Sequence, residues 1–274
     1  MKTSLIVPAY RRPALEAKLA SLAAGDLPAE LEILLVMYAS EAETLAGAQA
    51  HFPSLPARNL IIPDQPGLYP VAVKRNAGAR EAKGELLIFT DDDVLYVPGA
   101  IEALQSLYSG GFKGIASADL FYEDGSVLKA GSGQRLAWNR LNGSFLALDR
   151  ESFALLSGFR EEIKGRGGED IDLAFRARQM KVKLRRLEGK LAVHQGSPRA
   201  DAQTGYACGY GAFNTARWNG AIYALGLGVH PLQLAFKSWA LRVGAARLFA
   251  PRSMWEYEKG YLEGAREAQR GLNR

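Results

Sequence analysis

The chain has 274 residues, of which 48% are hydrophobic and 23% are charged, and its formal net charge is +5. This composition is that of a globular protein and excludes a disordered or low-complexity chain. The length suits one large α/β domain, or one domain with a substantial extension. The positive charge suits nucleic acid, an anionic membrane or an anionic substrate as a partner, and by itself it selects none of them.

The cysteine content and the apolar segments bear on the compartment. A single cysteine, Cys208, excludes an internal disulfide and suits a reducing cytoplasm. The first apolar run is interrupted by Pro8 and by two arginines soon after it, so we expect no signal peptide. The longest uncharged segment, 218–236, contains glycine, proline and polar residues, and we interpret it as helix, turn and helix instead of a membrane span.

Apolar runs and helical spacing alternate along the first hundred residues. The predicted strands are TSLIVPAY, LEILLVMY, NLIIPD and ELLIFTDDD, and helical spacing occurs between them and in VPGAIEALQSLYSG. Alternation of this kind, with continuously apolar strands, predicts a parallel sheet covered by helices on both faces. Ligands of such sheets bind at the carboxyl ends of the strands, where residues 8–10 and 91–93 lie.

The pattern changes after residue 110. KGIASADLFYEDGSVLKAG predicts strands around an Asp124-Gly125 turn, and NGSFLALDRESFALLSGF predicts a strand and a short helix. GGEDIDLAFRARQM is a predicted helix, and VKLRRLEGKLAVHQG is a predicted strand pair that ends at His194. From about residue 201 the chain is predicted to be mostly helical, with an interruption around 226–231.

Three aspartates, Asp91, Asp92 and Asp93, directly follow a predicted buried strand. Alternate residues of a strand share a face, so Asp91 and Asp93 can point one way while Asp92 points the other. Two carboxylates on one side of a strand end repel each other unless a cation joins them, and Mg²⁺ or Mn²⁺ is a hard cation with oxygen ligands. A solvated acidic loop, or a helix cap near Pro98, is the alternative interpretation.

Two further segments carry candidate chemistry. Glu169, Asp170 and Asp172 crowd the start of a predicted helix, where the helix dipole favours anions. Ordinary helix capping explains this pattern, and a general base is the alternative. His194 ends an apolar strand, so it is either a structural histidine or, if that strand ends beside Asp93, a metal ligand.

The order of five segments resembles the family 2 glycosyltransferases of the GT-A fold. The segments are SLIVPAYRRP, KRNAGAREAKGELLIFTDDDV, NGSFLALDRESFALLSGF, GRGGEDIDLAFRARQ and VHQG, within residues 3–197. The resemblance implies a GT-A, Rossmann-like α/β domain over residues 1–200, in which helices flank a mostly parallel sheet. Residues 201–274 are then a helical C-terminal extension for acceptor, membrane or subunit contact.

The resemblance also implies an activity and its partners. Such an enzyme moves a sugar, with inversion at the anomeric carbon, from a nucleotide-sugar to a hydroxyl group, and we expect a UDP-sugar to be favoured. The acceptor is a glycan, a lipid or a small molecule, in the synthesis of a polysaccharide, glycolipid or other glycoconjugate. We expect a cytoplasmic protein with no nucleic-acid partner, and peripheral contact with the inner face of the membrane stays open.

Site residues follow from the same resemblance. IFTDDDV resembles the family's DXD motif, in which Asp93 and His194 would hold Mn²⁺ or Mg²⁺ and Asp91 would lie near the ribose. GGEDID resembles the ED motif, in which Asp170 would be the catalytic base. The other residues implied at the donor site are Pro8, Ala9, Tyr10, Arg11, Tyr38, Asp64, Arg75, Asn76 and Asp92. Those expected at the acceptor site are Gly168, Glu169 and Trp138.

One departure from the family concerns the end of the second strand. In the family this strand ends in an acidic run whose first aspartate binds the nucleotide base, whereas here LLVMYASEAE places Met37, Tyr38, Ala39 and Ser40 there. Tyr38 can stack on a base, and Asp64 after the third strand is a candidate substitute carboxylate. The identity of the base therefore stays open.

Two other functions compete with this one. A nucleotidyltransferase that makes nucleotide-sugars is expected to have a Gly-rich phosphate loop after the first strand, and VPAYRRP has no glycine. A non-catalytic nucleotide-sugar-binding protein is supported only by the altered second strand. For the extension, packing on the domain or in a homodimer competes with a basic amphipathic helix on an anionic bilayer.

Overall fold

The computed structural model describes residues 1–128, 134, 136–163, 167–196, 202–242 and 255–270. The expected domain boundary at residues 200 and 201 lies outside these ranges. The strands are β1 (Thr3–Pro8), β2 (Leu31–Tyr38), β3 (Ala57–Ile62), β4 (Leu86–Thr90), β5 (Val94–Tyr96), β6 (Ile115–Tyr122), β7 (Val127–Leu128), β8 (Phe145–Asp149) and β9 (Leu184–His194).

The helices account for most of the remaining described chain. They are α1 (Arg12–Ala23), α2 (Ala42–Leu45), α3 (Pro70–Glu81), α4 (Ala100–Ser109), α5 (Arg150–Leu155), α6 (Glu169–Gln179), α7 (Ala202–Leu227), α8 (Pro231–Arg242) and α9 (Trp255–Arg270). Short 3₁₀ segments cover Ala39–Glu41, Ala46–His51 and Trp138–Arg140. Among the described helices, none combines the length and the apolar character needed to cross a membrane.

The strands form a single sheet in the order β3-β2-β1-β4-β8-β6-β9-β5, with β7 paired to β6. The first four strands in this order are parallel, as the strand–helix alternation predicts. Strand β8 is antiparallel to both β4 and β6, and β9 runs parallel to β6. The α/β fold class expected from the sequence, with helices flanking the sheet and a helical C-terminal extension, is confirmed.

Two elements differ from the expectation. The expected strand pair before His194 is one strand, β9, because Gly189 adopts a positive φ of 101° and the ladder shifts register there without forming a turn. The expected helix after β2 is broken into short 3₁₀ and α segments. The carboxylate of Glu41 accepts the backbone N–H of Tyr38 at 2.8 Å, so a tight capped turn begins there.

Two apolar clusters cover the faces of the sheet. Because side chains alternate along β1, Leu5 belongs to the cluster beneath α1 and α4, whereas Ile6 belongs to the cluster beneath α3 and α6. Tyr223 of α7 and Leu262 of α9 belong to this second cluster. The C-terminal helices therefore share the core that supports α6.

The packing of α7 on α9 depends on two glycines. A Cβ atom at Gly209 would overlap the carbonyl oxygen of Tyr261, and a Cβ atom at Gly264 would overlap the carbonyl oxygen of Tyr206. The two backbones thus approach too closely for any side chain at these positions.

We predict that Gly264→Ala lowers the free energy of unfolding by about 1–3 kcal/mol, because the added methyl group overpacks the contact between the helices. Gly47→Ala is the control, since a Cβ atom there lies 3.7 Å from the nearest atom, the flexible Arg12 guanidinium. Urea denaturation of both variants measures the effect. Equal midpoints for the Gly264 variant and the control would contradict the close packing of α7 on α9.

Candidate active site

The carboxyl ends of β1, β4 and β9 meet the first turn of α6 at one edge of the sheet. Strand β4 stops at Thr90, so residues 91–93 form a turn and the alternation expected of a strand does not apply to them. The carboxylates consequently diverge: Asp91 faces α3, whereas Asp92 and Asp93 both face Arg11 in the loop after β1.

Asp91 points toward a buried arginine of α3. Arg75 is only 1% exposed, and its Nη2 donates to Asp91 Oδ1 at 2.8 Å while its Nη1 donates to Glu169 Oε1 at 2.7 Å. The same guanidinium donates to the carbonyl oxygen of Gly143 at 2.8 Å. The planar fork of Arg75 therefore joins the end of β4 to the start of α6.

The charges of this cluster depend on one another. Burial disfavours ionisation of Asp91, but Arg75 and a hydrogen bond from Ser144 Oγ at 2.7 Å hold the pKa of Asp91 below its usual range. Burial also disfavours the charge of Arg75, but Asp91 and Glu169 keep its pKa above the ordinary value. At Glu169, burial and the neighbouring Asp170 outweigh Arg75 and raise the pKa to about 7.

Asp170 lies half-buried in the first turn of α6. Its Oδ2 accepts the backbone N–H of Gly143 at 2.8 Å, and its Oδ1 accepts that of Ile171 at 2.7 Å. Gly168, immediately before the helix, has a φ of 101°, and a Cβ atom there would lie 3.1 Å from Thr215 of α7. The glycine thus allows α6 to start abruptly beneath α7, which fixes the position of Asp170.

Asp92 holds the loop after β1. Its side chain is buried, and its Oδ2 accepts the backbone N–H groups of Tyr10 and Arg11, each at 2.9 Å. Burial raises the pKa of this carboxyl group despite the two hydrogen bonds. The structure thus places Asp92 behind the loop that contains Tyr10, where it positions the loop.

Asp93 and His194 lie side by side because β9 pairs with β5 directly after the aspartates. Val94 is opposite His194 in the ladder, and the carbonyl oxygen of Asp93 accepts the N–H of Gln195 at 2.8 Å. His194 Nε2 lies 3.6 Å from Asp93 Oδ2. The same Asp93 oxygen is paired with the guanidinium of Arg11.

This pair fits a divalent cation. His194 Nδ1 lies 2.7 Å from the carbonyl oxygen of Gln195, which can only accept, so Nδ1 carries the hydrogen. With Nδ1 as the donor, Nε2 is the ring nitrogen that faces the Asp93 carboxylate, so its lone pair and a carboxylate oxygen could both bind a metal ion between them. Among the described residues no group of three or more such ligands gathers, so an ion here needs phosphate or water oxygens as well.

A buried lysine lies on the other side of the loop after β1. Lys74 of α3 donates to Ala9 O and to Glu41 Oε2, each at 2.7 Å, and its Nζ lies 3.6 Å from the centroid of the Tyr10 ring and 4.8 Å from that of Tyr38. Burial lowers the pKa of Lys74 although Glu41 opposes this. Neither Lys74 nor Glu41 is among the site residues expected from the sequence, although Glu41 is an acidic residue three positions beyond β2.

The expected substitute carboxylate, Asp64, lies exposed after β3. It accepts the backbone N–H of Ser40 at 3.2 Å and so ties β3 to the segment after β2. Glu41 is therefore the carboxylate that stands beside Tyr38 and Tyr10.

Two expected site residues have structural contacts instead. Asn76 is buried and exchanges hydrogen bonds with the backbone of Phe159, at 2.8 Å from its Nδ2 and 2.9 Å to its Oδ1, so it holds the loop after α5. Trp138 is buried against Phe175 and Tyr223, with ring centroids 4.9 Å and 5.2 Å away. The structure does not support a nucleotide contact for Asn76 or sugar stacking for Trp138.

Several buried polar atoms near these residues have no protein partner. Within the described residues these atoms are Tyr10 Oη, Tyr38 Oη, Arg75 Nε, Asn142 Nδ2 and Glu169 Oε2. Buried polar groups are nearly always hydrogen-bonded, so each of these atoms calls for an explanation. Each of them is closed to solvent in this structure, so a ligand would reach them only after the surrounding side chains had moved.

Two family descriptions match the chain. Residues 4–157 match "Glycosyl transferase family 2", and residues 128–195 match "N-terminal domain of galactosyltransferase". The first match contains β1 to β8 and the three aspartates, and the second contains α6 and His194.

Similar proteins include the uncharacterized glycosyltransferase YwdF of Bacillus subtilis, 28% identical over 162 residues that make up 59% of this chain and 53% of the relative. The chain thus spans about half the length of that relative. The mannosyltransferase PcManGT from Pyrobaculum calidifontis, in complex with GDP-Man and Mn²⁺, has a similar structure (TM-score 0.69, 19% identity, 100% of this chain and 88% of that one).

A second similar structure is that of S. aureus TarS, residues 1–349, in complex with UDP-GlcNAc (TM-score 0.61, 14% identity, 100% of this chain and 92% of that one). These glycosyltransferase structures share the fold of this chain, and the expected GT-A architecture is confirmed.

We predict that Glu169 makes stability depend on pH. Between its ordinary pKa of 4.5 and its native value of about 7, the folded protein retains a proton that the unfolded chain has released. Its contribution to stability is therefore fully present below about pH 4.5 and is lost as the pH rises through about 7.

The neutral variant Glu169→Gln removes this contribution, which we expect to be on the order of 2 kcal/mol. Urea midpoints at pH 5 and pH 8 measure it, with the exposed Glu162→Gln as the control. From pH 8 to pH 5, the free energy of unfolding of wild type is expected to rise relative to that of Glu169→Gln. If the two proteins show the same dependence of stability on pH, the raised pKa of Glu169 is wrong.

Proposed function

The chain belongs to glycosyl transferase family 2, and from this premise we propose that it transfers a sugar from a nucleoside-diphosphate sugar to an acceptor hydroxyl group, with inversion. The main support is the closeness of Asp91 and Asp170. Gly143 N donates to Asp170 at 2.8 Å, and the next residue, Ser144, donates through Oγ to Asp91 at 2.7 Å. A donor-side carboxylate and an acceptor-side carboxylate thus flank two consecutive residues, close enough to serve one reaction centre.

In the proposed reaction Asp170 is the general base. The acceptor oxygen forms a bond to the anomeric carbon while the bond from that carbon to the diphosphate oxygen breaks. The acceptor proton passes to Asp170, whose half-buried carboxylate is held at both oxygens by backbone N–H groups. An attack opposite to the leaving group inverts the configuration.

Glu169 has a separate role in this proposal. Its Oε1 is engaged by Arg75, whereas its Oε2 is buried without a partner. Because its pKa is raised to about 7, Glu169 holds a proton for part of the time near neutral pH and can donate as well as accept. We propose that it orients the acceptor hydroxyl group beside Asp170.

Asp93 and His194 are the residues proposed to hold Mn²⁺ or Mg²⁺. Such an ion, when bound, neutralises the negative charge that develops on the departing diphosphate. The similar structure of PcManGT contains Mn²⁺ with GDP-Man. Because Arg11 is paired with Asp93, a metal ion and this guanidinium compete for the same carboxylate.

Glu41, Tyr38 and Tyr10 are proposed to form the nucleotide-base site. The Glu41 carboxylate takes the place of the acidic residue missing from the end of β2, and Lys74 holds it at 2.7 Å. A carboxylate accepts the ring N–H of uracil, as it does that of thymine or guanine, so the site is compatible with the UDP-sugar expected from the sequence, for the synthesis of a polysaccharide, glycolipid or other glycoconjugate.

We predict that Asp93→Ala abolishes metal-dependent binding of nucleoside diphosphates. The measurement is a thermal-shift panel with UDP, GDP, TDP, CDP and ADP, each with and without Mn²⁺. A ligand that binds only the native state at about 100 times its Kd adds about 2.7 kcal/mol of stability.

One diphosphate is expected to stabilise wild type and the exposed-site control Asp124→Ala only with Mn²⁺, and not Asp93→Ala. No stabilisation of wild type by any diphosphate would contradict the donor site, and a full Mn²⁺-dependent shift in Asp93→Ala would contradict the metal ligand.

We predict that Asp170→Asn leaves donor binding unchanged and slows transfer by about 100-fold or more, because the amide preserves an acceptor for Gly143 N–H but cannot take up the proton. Release of nucleoside diphosphate from the sugar form of the stabilising nucleotide, with glycan and lipid-linked hydroxyl acceptors, measures the rate. A variant with the full transfer rate would contradict the assignment of the base.

A further inference from the structure

Helices α7 and α8 expose a large apolar surface. Six large side chains on them are each between 47% and 75% exposed. We call this surface the apolar face, and it consists of Trp218, Ile222, Leu225, Leu232, Phe236 and Trp239. Every other exposed residue within 218–240 is alanine, glycine or proline.

In α8 the three side chains are separated by four and then three residues, so they lie on one side of the helix. In α7 the backbone is not helical at Gly220, where φ is 79° and ψ is −170°, so Ile222 and Leu225 share one helix face after this kink and Trp218 precedes it. Gln233 Nε2 of α8 donates to the carbonyl oxygen of Leu225 in α7 at 3.2 Å, which keeps the two ends of the face adjacent across the turn.

The opposite sides of the same helices already pack in the core. Tyr223 of α7 and Leu234 of α8 are buried members of the cluster that supports α6. Core packing therefore does not account for the exposed apolar face. A group of six large exposed apolar side chains on two adjacent helices of a folded domain marks a site of contact with a partner or a membrane.

The charges of this segment are of one sign. Residues 202–242 contain no aspartate or glutamate, and their charged residues are Arg217, Lys237 and Arg242. From outside the segment, the Arg160 guanidinium lies 4.7 Å from the centre of the Trp218 ring, and Lys237 pairs with Glu258 of α9 at 3.1 Å. By sequence, the helices that carry the apolar face thus have cationic residues and no acidic ones, while Arg160 and Lys237 are each paired with a carboxylate from another helix.

We propose that the apolar face docks on the surface of an anionic lipid bilayer. Tryptophan side chains favour the level of the lipid headgroups, and adjacent cations are attracted to anionic lipids. Docking of a second copy through the same face would bring the cationic segment against itself in a symmetric interface. The charge pattern therefore favours a bilayer over a homodimer as the occupant.

The apolar face begins next to the proposed acceptor side of the site. Asn219 Nδ2, adjacent to Trp218, donates at 2.7 Å to Asp172, which lies two residues after Asp170 in α6. If the proposed function holds, docking brings Asp170 close to the membrane surface. The acceptor class that this position suits is a hydroxyl group carried by a lipid.

Flotation with lipid vesicles at low salt tests the docking without any assay of transfer. The full-length wild type is mixed with vesicles of phosphatidylcholine alone or with added phosphatidylglycerol. The double variant Ile222→Asp/Phe236→Asp places two charges in the face, and Leu155→Asp is the control because Leu155 is 54% exposed outside it.

Wild type and Leu155→Asp are expected to float with the phosphatidylglycerol vesicles, and the double variant is expected to bind them at least ten-fold less. Circular dichroism and melting temperature are expected to be unchanged, because the altered side chains are exposed. Wild type that stays unbound, or a double variant that floats like wild type, would overturn the proposal.

Light scattering after size-exclusion chromatography distinguishes the homodimer. A dimeric wild type that fails to float, together with a monomeric double variant, would overturn bilayer docking in favour of self-association. The Asp93→Ala variant is expected to float like wild type. The flotation result therefore stands even if the proposed donor site is wrong.

Discussion

A single buried guanidinium, that of Arg75, joins the end of β4 to the start of α6, and so links Asp91 to the part of the site that contains Asp170. It is anchored in α3, it neutralises Asp91 at the end of β4, and it pairs with Glu169 at the start of α6. Removing one partner of a buried ion pair typically costs about 3–5 kcal/mol, because the remaining charge is left uncompensated in a region with little water. The parallel sheet and α6 therefore cannot shift independently at this point. Asp170 directly follows Glu169 in α6, so its position is fixed by the same contacts.

Each of the three consecutive aspartates lies near a positively charged side chain. Asp91 pairs with Arg75, while Asp92 and Asp93 face Arg11. Beneath the turn, the fully buried Lys18 donates to Thr90 at 2.9 Å, and burial lowers its pKa well below the usual range although the three aspartates oppose this. Asp93 is the exception that matters for function, because it is also beside His194 Nε2. Arg11 occupies the Asp93 carboxylate in this structure, and a metal ion would compete with it for that oxygen.

Local patterns in the sequence predict the elements and the edge of the sheet at which they converge. Strand–helix alternation predicts the parallel half of the sheet, whereas only the family resemblance implies that Asp93 and His194 share a site. What the sequence does not reveal depends on partners far away in the chain. Asp92 accepts hydrogen bonds from the loop after β1, whose Tyr10 lies 82 residues earlier in the chain. Similarly, Lys74 meets Glu41 only because α3 packs across β1. Trp138 is a further example, because its burial depends on packing against Tyr223 of α7, which lies far away in the sequence.

The most direct test of this account is anomalous diffraction at the manganese edge from crystals grown with Mn²⁺ and the nucleoside diphosphate that stabilises the protein. We expect one strong peak within bonding distance of Asp93 Oδ, His194 Nε2 and the diphosphate, with Arg11 released from Asp93 and the Asp91–Arg75–Glu169 contacts intact. Nucleotide bound at this edge without a peak there, or a peak held by other residues, would contradict it.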